Sequence, residues 1–166
     1  MEEAEVPDEN VIGEVGGGWQ IAITTLMFER AGLGAAAVMG LKRGLEDLIG
    51  MVKDNGLADD PIARQKIAEL HTGIEAMRLG ALRSLTMTMK TGIPGPEGSL
   101  GKLQWAKYAQ AMTEMASEIA GPEGVTAGND ISYRLLRSRA NSIEGGTTEV
   151  LQNIVAERVL GLPKLR

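Results

Sequence analysis

An all-helical fold is predicted: an up-down four-helix bundle with one short extra helix, behind an irregular N-terminal segment. Three observations predict it. Apolar residues make up 43% of the 166-residue chain but aromatics only 3%, so any core is built from Ala, Leu, Ile, Val and the nine Met. Strands lean on aromatic and β-branched residues, and such a core favours helices instead. Apolar positions recur three or four apart over long stretches, which is helical spacing. Gly- and Pro-containing breaks separate those stretches cleanly.

Residues 1–18 read as a linker and not as a folded unit. Pro7, Asp8 and Asn10 are turn formers, and Gly16, Gly17 and Gly18 form a hinge. A first long helix is predicted from Trp19 to Asn55. Its stripe is Ile23, Leu26, Ala37, Leu41, Leu45, Leu48 and Val52, and Gly32, Gly34 and Gly40 are expected to admit a close neighbour. A second helix opens at Asp60-Pro61, where Asp suits the N-cap and Pro the first helical position. Ile67, Leu70, Ile74, Met77 and Ala81 form its stripe, and it closes at Thr91-Gly92. Pro94-Gly95-Pro96 breaks the chain. The third helix runs from about Ser99 to Gly121-Pro122, with Leu103, Trp105, Ala109, Met112, Ala116 and Ile119 turned inward. Gly124 to Asn129 is loop, and a short helix spans about Asp130 to Ala140. The last helix carries Val150, Ile154, Val155, Val159 and Leu160, and Gly161 and Pro163 stop it. Each stripe needs a partner, and short connections make neighbours antiparallel. Residues 19–166 are therefore read as one domain.

Composition excludes several function classes. A net charge of −5 gives no electrostatic case for nucleic acid or an anionic membrane. The absence of Cys removes thiolate metal sites, and a single histidine, His71, removes a multi-histidine cluster, so no metal is expected. No apolar run reaches the roughly 20 residues that span a bilayer. The acidic first ten residues do not read as a signal or transit peptide, so a cytoplasmic location is the default.

Two places invite chemistry. Glu29 lies three residues after Leu26 and four before Leu33, on one helical face with both. A carboxylate on an apolar stripe is costly unless it is paired. It reads either as a boundary ion pair or as a general base held in a dry cavity. Near the C-terminus, Gly145 and Gly146 precede Thr147, Thr148 and Glu149 at the start of a helix, whose first amides lack partners within the helix. Thr147 and Glu149 serve equally as ordinary caps. Arg134, Arg137 and Arg139 cluster upstream and read as ion pairs or as a phosphate contact.

The stretch from Ile143 to Pro163, I-E-G-G-T-T-E-V-L-Q-N-I-V-A-E-R-V-L-G-L-P, resembles the C-terminal end of the acyl-CoA dehydrogenase family. V-P-D-E-N-V-I-G-E-V-G-G-G-W resembles that family's passage from its central β-domain into its helical domain. The resemblance implies FAD as cofactor, an acyl-CoA substrate, an electron-transfer partner and a homo- or hetero-oligomer. It implies a flavin border at Gly146, Thr147 and Glu149. E-I-A-G-P-E-G, at Glu118 to Gly124, is similar to the family's Q-x-x-G-G-x-G turn and adds Gly121 and Gly124 to that border.

The usual family base is the Glu of an E-G-T triplet, and here the triplet reads Gly145-Gly146-Thr147. Members similar to the isovaleryl- and long-chain-specific enzymes carry a small residue there and place the base in an E-R pair on the first long helix. Glu29-Arg30 matches that pair. The resemblance therefore assigns Glu29 as base, with Glu144 as its rival one residue before the vacated position. An extended segment would turn Glu144 to the opposite side. Arg30 is expected to support CoA or orient Glu29, and Gly145 to leave room for the base or for the acyl chain. The family's R-x-x-F-G segment has no counterpart, since Gly50 to Pro61 reads G-M-V-K-D-N-G-L-A-D-D-P. A domain of this kind is expected to be inactive alone. Two other readings stay open: a non-catalytic partner subunit of a heteromeric dehydrogenase, and a helical oligomerisation module.

Overall fold

A computed structural model describes residues 5–164, apart from the side chains of residues 31, 33 and 35. The first four residues of the predicted linker, the last two of the predicted domain and the Leu33 side chain fall outside the described residues. Among the described residues all regular structure is helical.

Three long helices form the body: α1 (Gly18–Asp54), α2 (Pro61–Thr91) and α3 (Glu97–Ala120). The breaks lie where Gly and Pro put them. Asp60 accepts a hydrogen bond from the Ala63 amide at 2.7 Å ahead of Pro61, and Gly92 ends α2 with φ 76°. Side-chain neighbours set the directions. Gly34 of α1 faces Ala81 of α2, whereas Lys42 pairs with Glu75, so these helices run antiparallel. Lys66 pairs with Glu118, and Gly73 lies beneath the Tyr108 ring, so α2 and α3 are antiparallel as well.

The core occupies one end of this assembly. Val38, Leu41, Leu45, Leu48 and Val52 of α1 meet Leu70, Ile74 and Met77 of α2 and Met112 and Met115 of α3. No described residue in α1 before Val38 is fully buried. The apolar period of α1 therefore continues beyond the buried core, alongside the end of α2, whose Leu82, Leu85, Met87 and Met89 are exposed as well. Gly34 is the one glycine of the predicted three with a close neighbour, since nothing lies within 4 Å of the Cβ positions of Gly32 and Gly40.

α3 differs most from expectation. It packs against α1 and α2 on one side and on the shorter α4 (Asp130–Ser138) and α5 (Thr148–Ile154) on the other. Its buried residues are Ser99, Lys102, Ala106, Met112, Met115 and Ser117, while Leu103, Trp105, Ala109, Ala116 and Ile119 are half-buried. The second contact face is polar. Gln110 donates to the Ser138 carbonyl and Ser142, and Thr113 donates to Ser138. These bonds satisfy groups that burial would otherwise leave unpaired.

The last helix is shorter and differently turned than predicted. α4 passes through a 3-10 stretch, Arg139–Ser142, into the glycine turn, and α5 becomes a π-helix over Val155–Val159. Leu151, and not Val150, is the buried anchor. Leu151 is 0% exposed against 50% for Val150, because α5 presents its Leu151 side to α3.

Candidate functional site

The turn between the 3-10 stretch and α5 is built from two glycines at positive φ, Gly145 at 67° and Gly146 at 111°. Thr147 then caps α5, accepting from the Val150 amide at 3.4 Å. Two cations from two long helices hold the turn. Arg30 Nε donates to the Gly145 carbonyl at 3.3 Å, and Lys102 Nζ donates to the Gly146 carbonyl at 2.8 Å. Burial pushes the Arg30 guanidinium below its ordinary range, with Glu29 opposing the shift and Arg158 adding to it. Burial likewise lowers Lys102, against Glu144 and with Arg30.

Glu29 is exposed, which corrects the expectation of a carboxylate on a buried stripe. Ala22 and Ala36 on that face are exposed too, and Leu26 is half-buried, because the core begins further along α1. The carboxylate nevertheless stands at the turn. Glu29 Oε1 is 3.8 Å from the position a Cβ on Gly145 would take. A small cleft lies on Arg30, lined also by Met27, Pro96, Ser99, Ile154 and Arg158.

Glu144 lies in the turn itself and not in an extended segment, so alternation of side chains does not decide its direction. Its carboxylate is engaged by Arg137, whose two terminal nitrogens donate at 3.0 to 3.2 Å. Arg134 pairs with Asp130 and Arg139 with Glu114, so the arginine cluster is a set of ion pairs. The other expected positions are dispersed. Glu149 and His71 are exposed. Gly121 ends α3 with φ 61°. Gly124 is buried where a Cβ would stand 2.4 Å from the Ser117 carbonyl oxygen, and Ser117 Oγ donates to the Gly124 carbonyl. Close packing accounts for Gly124. No group of three potential metal ligands occurs among the described residues.

Lys102 is the site residue that sequence reasoning missed. It is 2% exposed. A signal was present: Ser99, Lys102 and Ala106 are three and four apart and mark a face of small residues interrupted by one lysine.

Fold and turn define a helical domain whose C-terminal glycine turn is pinned between two long helices. Residues 16–160 match the family model described as acyl-CoA dehydrogenase, C-terminal domain. The chain belongs to the acyl-CoA dehydrogenase family, as its C-terminal domain. It is 39% identical over 158 residues to acyl-CoA dehydrogenase IpdE1 of Mycolicibacterium smegmatis, covering 93% of this chain and 39% of that protein. It is 35% identical over 168 residues to acyl-CoA dehydrogenase IpdE1 of Mycobacterium tuberculosis, covering 99% and 43%. The solved structure titled Tcur3481-Tcur3483 steroid ACAD superposes with a TM-score of 0.79 at 28% identity, over 96% of this chain and 44% of that one. The chain thus spans less than half the length of these relatives. No described helix is long and apolar enough to cross a membrane.

Proposed function

We propose that this domain supplies the catalytic base of a flavin-dependent acyl-CoA dehydrogenase, and that Glu29 is that base. One observation carries the reading: the Glu29 carboxylate stands against Gly145, the position that the usual family base occupies and that here has no side chain. Glu144 is the weaker candidate, because its carboxylate is already held by two nitrogens of Arg137.

The residues present suit FAD. Gly145 and Gly146 put no side chain between the turn and a planar ring, and the amide of Thr147 finds no acceptor among the described residues. Gly146, Thr147 and Glu149 are the residues proposed to border the cofactor here, and Gly121 and Gly124, at the far end of α3, are proposed for that border on the family resemblance alone. When bound, FAD supplies the two-electron acceptor for the β-hydride. Glu29 takes the proton from the carbon next to the thioester, and the bond between the α and β carbons becomes the trans-2 double bond of the enoyl-CoA. Arg30 is fixed by the Gly145 carbonyl, so its charge stays beside Glu29. Exposure of Glu29 in this domain leaves its dry surroundings to be supplied by the rest of the enzyme. The domain alone is accordingly expected to be inactive. An electron-transfer partner, an oligomeric assembly and a cytoplasmic location complete the proposal.

One observation favours a second reading, a non-catalytic partner subunit. The Gly50 to Pro61 stretch lacks the R-x-x-F-G segment of the family. Glu29→Gln in the flavin-loaded enzyme separates the two. Loss of turnover with flavin retained supports the base, and unchanged turnover supports the partner subunit.

A further inference from the structure

We infer that Lys102 is a positioning residue for this site: its ammonium fixes the Gly146 carbonyl and thereby sets which way the Gly146–Thr147 peptide presents its N–H. The inference rests on the reading of the glycine turn as the cofactor border, and it deepens that reading.

No peptide in the described chain is cis. In a trans peptide the carbonyl and the following N–H point to opposite sides. Holding the Gly146 carbonyl on Lys102 therefore sends the Thr147 N–H away from Lys102. Arg30 does the same one residue earlier, so its hold on the Gly145 carbonyl sends the Gly146 N–H away from Arg30. The Gly146 N–H closes the turn over residues 143–145, whereas the Thr147 N–H meets no acceptor among the described residues. One amide is thus left as a free donor while both turn carbonyls are spent on cations.

Glycine makes this arrangement possible and also unstable. Gly146, at φ 111°, has no Cβ to restrain rotation on its side of the Gly146–Thr147 peptide, so only Thr147 limits a flip from within the turn. Lys102 selects the orientation from outside, through a charge-assisted bond at 2.8 Å made in a buried setting. Burying an ammonium is costly, and neutralising it would relieve that cost. A lysine kept at a 2% exposed position, 44 residues away in sequence from the carbonyl it holds, fits a requirement for the turn's orientation better than a requirement for packing.

The test has two arms. In the 166-residue chain, Lys102→Met is expected to keep its helical circular dichroism while the amide signals of Gly146 and Thr147 move. Their hydrogen exchange should change at least tenfold, with core amides such as those of Leu45 and Ile74 unchanged. Lys102→Arg, which retains a cationic donor, is expected to restore the original signals. Unmoved Gly146 and Thr147 amides, or a loss of protection spread evenly over the core, would overturn the inference. The wild-type chain gives a reading that needs no variant: a slowly exchanging Lys102 ammonium signal is expected, and its absence counts against the clamp. In the flavin-loaded enzyme, Lys102→Met is expected to lower kcat at least tenfold with KM changed less than threefold and to shift the visible flavin band. An unchanged kcat and band would remove the positioning role. Glu29→Gln run beside it isolates the parent reading: if that variant is fully active, the base assignment fails while the amide signals still judge Lys102.

Discussion

Arg30 reaches across 115 positions of sequence to donate its Nε hydrogen to the Gly145 carbonyl at 3.3 Å. That bond joins the residue beside the proposed base to the glycine against which that base stands. It makes the start of α1 and the start of α5 one unit, although neither contributes a side chain to the central cluster of the core. Arg30→Ala is expected to loosen the turn and leave the core intact. Faster hydrogen exchange at residues 145–151, with unchanged protection in α2, checks this.

Glu29→Gln removes the proposed proton acceptor and keeps its shape. In the flavin-loaded enzyme the expected loss in turnover is about 10²–10⁴-fold, the usual contribution of a general base. Glu144→Gln is expected to stay within about threefold, since it breaks only an exposed pair with Arg137, of a kind worth about 0–1 kcal/mol. Steady-state rates for both variants decide which carboxylate acts.

Gly124→Ala is expected to be the most damaging glycine replacement outside the turn. Its Cβ would stand 2.4 Å from the Ser117 carbonyl oxygen, and backbone cannot step aside cheaply. A loss of about 1–3 kcal/mol is expected from such overpacking. Gly145→Ala meets only ordinary contacts, at 3.8 Å, so its cost is confined to the left-handed backbone, about 1–2 kcal/mol. Urea midpoints of the two variants give the order.

Leu151→Ala tests what fastens α5. The side chain is 0% exposed, and its truncation is expected to cost about 2–5 kcal/mol if the chain unfolds as one unit. If α5 detaches first, amides of residues 148–159 will exchange before those of α2. Either result ties the turn's stability to this single anchor.

Glu75 sets an acid limit. Hydrogen bonds from Lys42 and then from Arg78 hold its carboxyl down at about 2 from an ordinary 4.5. A depressed carboxylate favours the folded state above its unfolded pKa, and that contribution is lost as pH falls through the folded one. Stability is therefore expected to decline between pH 4.5 and about 2, and Glu75→Gln should flatten part of that decline. Thermal midpoints of both proteins across that range provide the check.

Much of this protein was legible in its residues, and the reason is locality. Asp60-Pro61, Gly92 and Gly121 punctuate the helices where they do because capping and positive φ are properties of a few adjacent residues. The stripe of Leu41, Leu45, Leu48 and Val52 was readable because one face of one helix packs against one neighbouring set. In α3 the expected stripe does meet the core through Trp105, Ala109, Met112, Ala116 and Ile119, but a second face went unread. The helix has two contact faces, one lined by Ser99, Lys102 and Ser117, and a search for a single apolar stripe passes over polar residues that another segment satisfies.

The sequence by itself determined an all-helical domain and its breaks, and it offered the two features on which the proposed chemistry rests: a glycine where the family resemblance puts a base, and a carboxylate next to an arginine on the first helix. Tertiary structure alone decided that Glu29 is exposed and yet beside Gly145, that Leu151 and not Val150 is buried, and that a buried lysine holds the turn. Helical period fixes only the angle of a side chain about its own axis. What stands opposite that angle is settled by packing between segments distant in the chain.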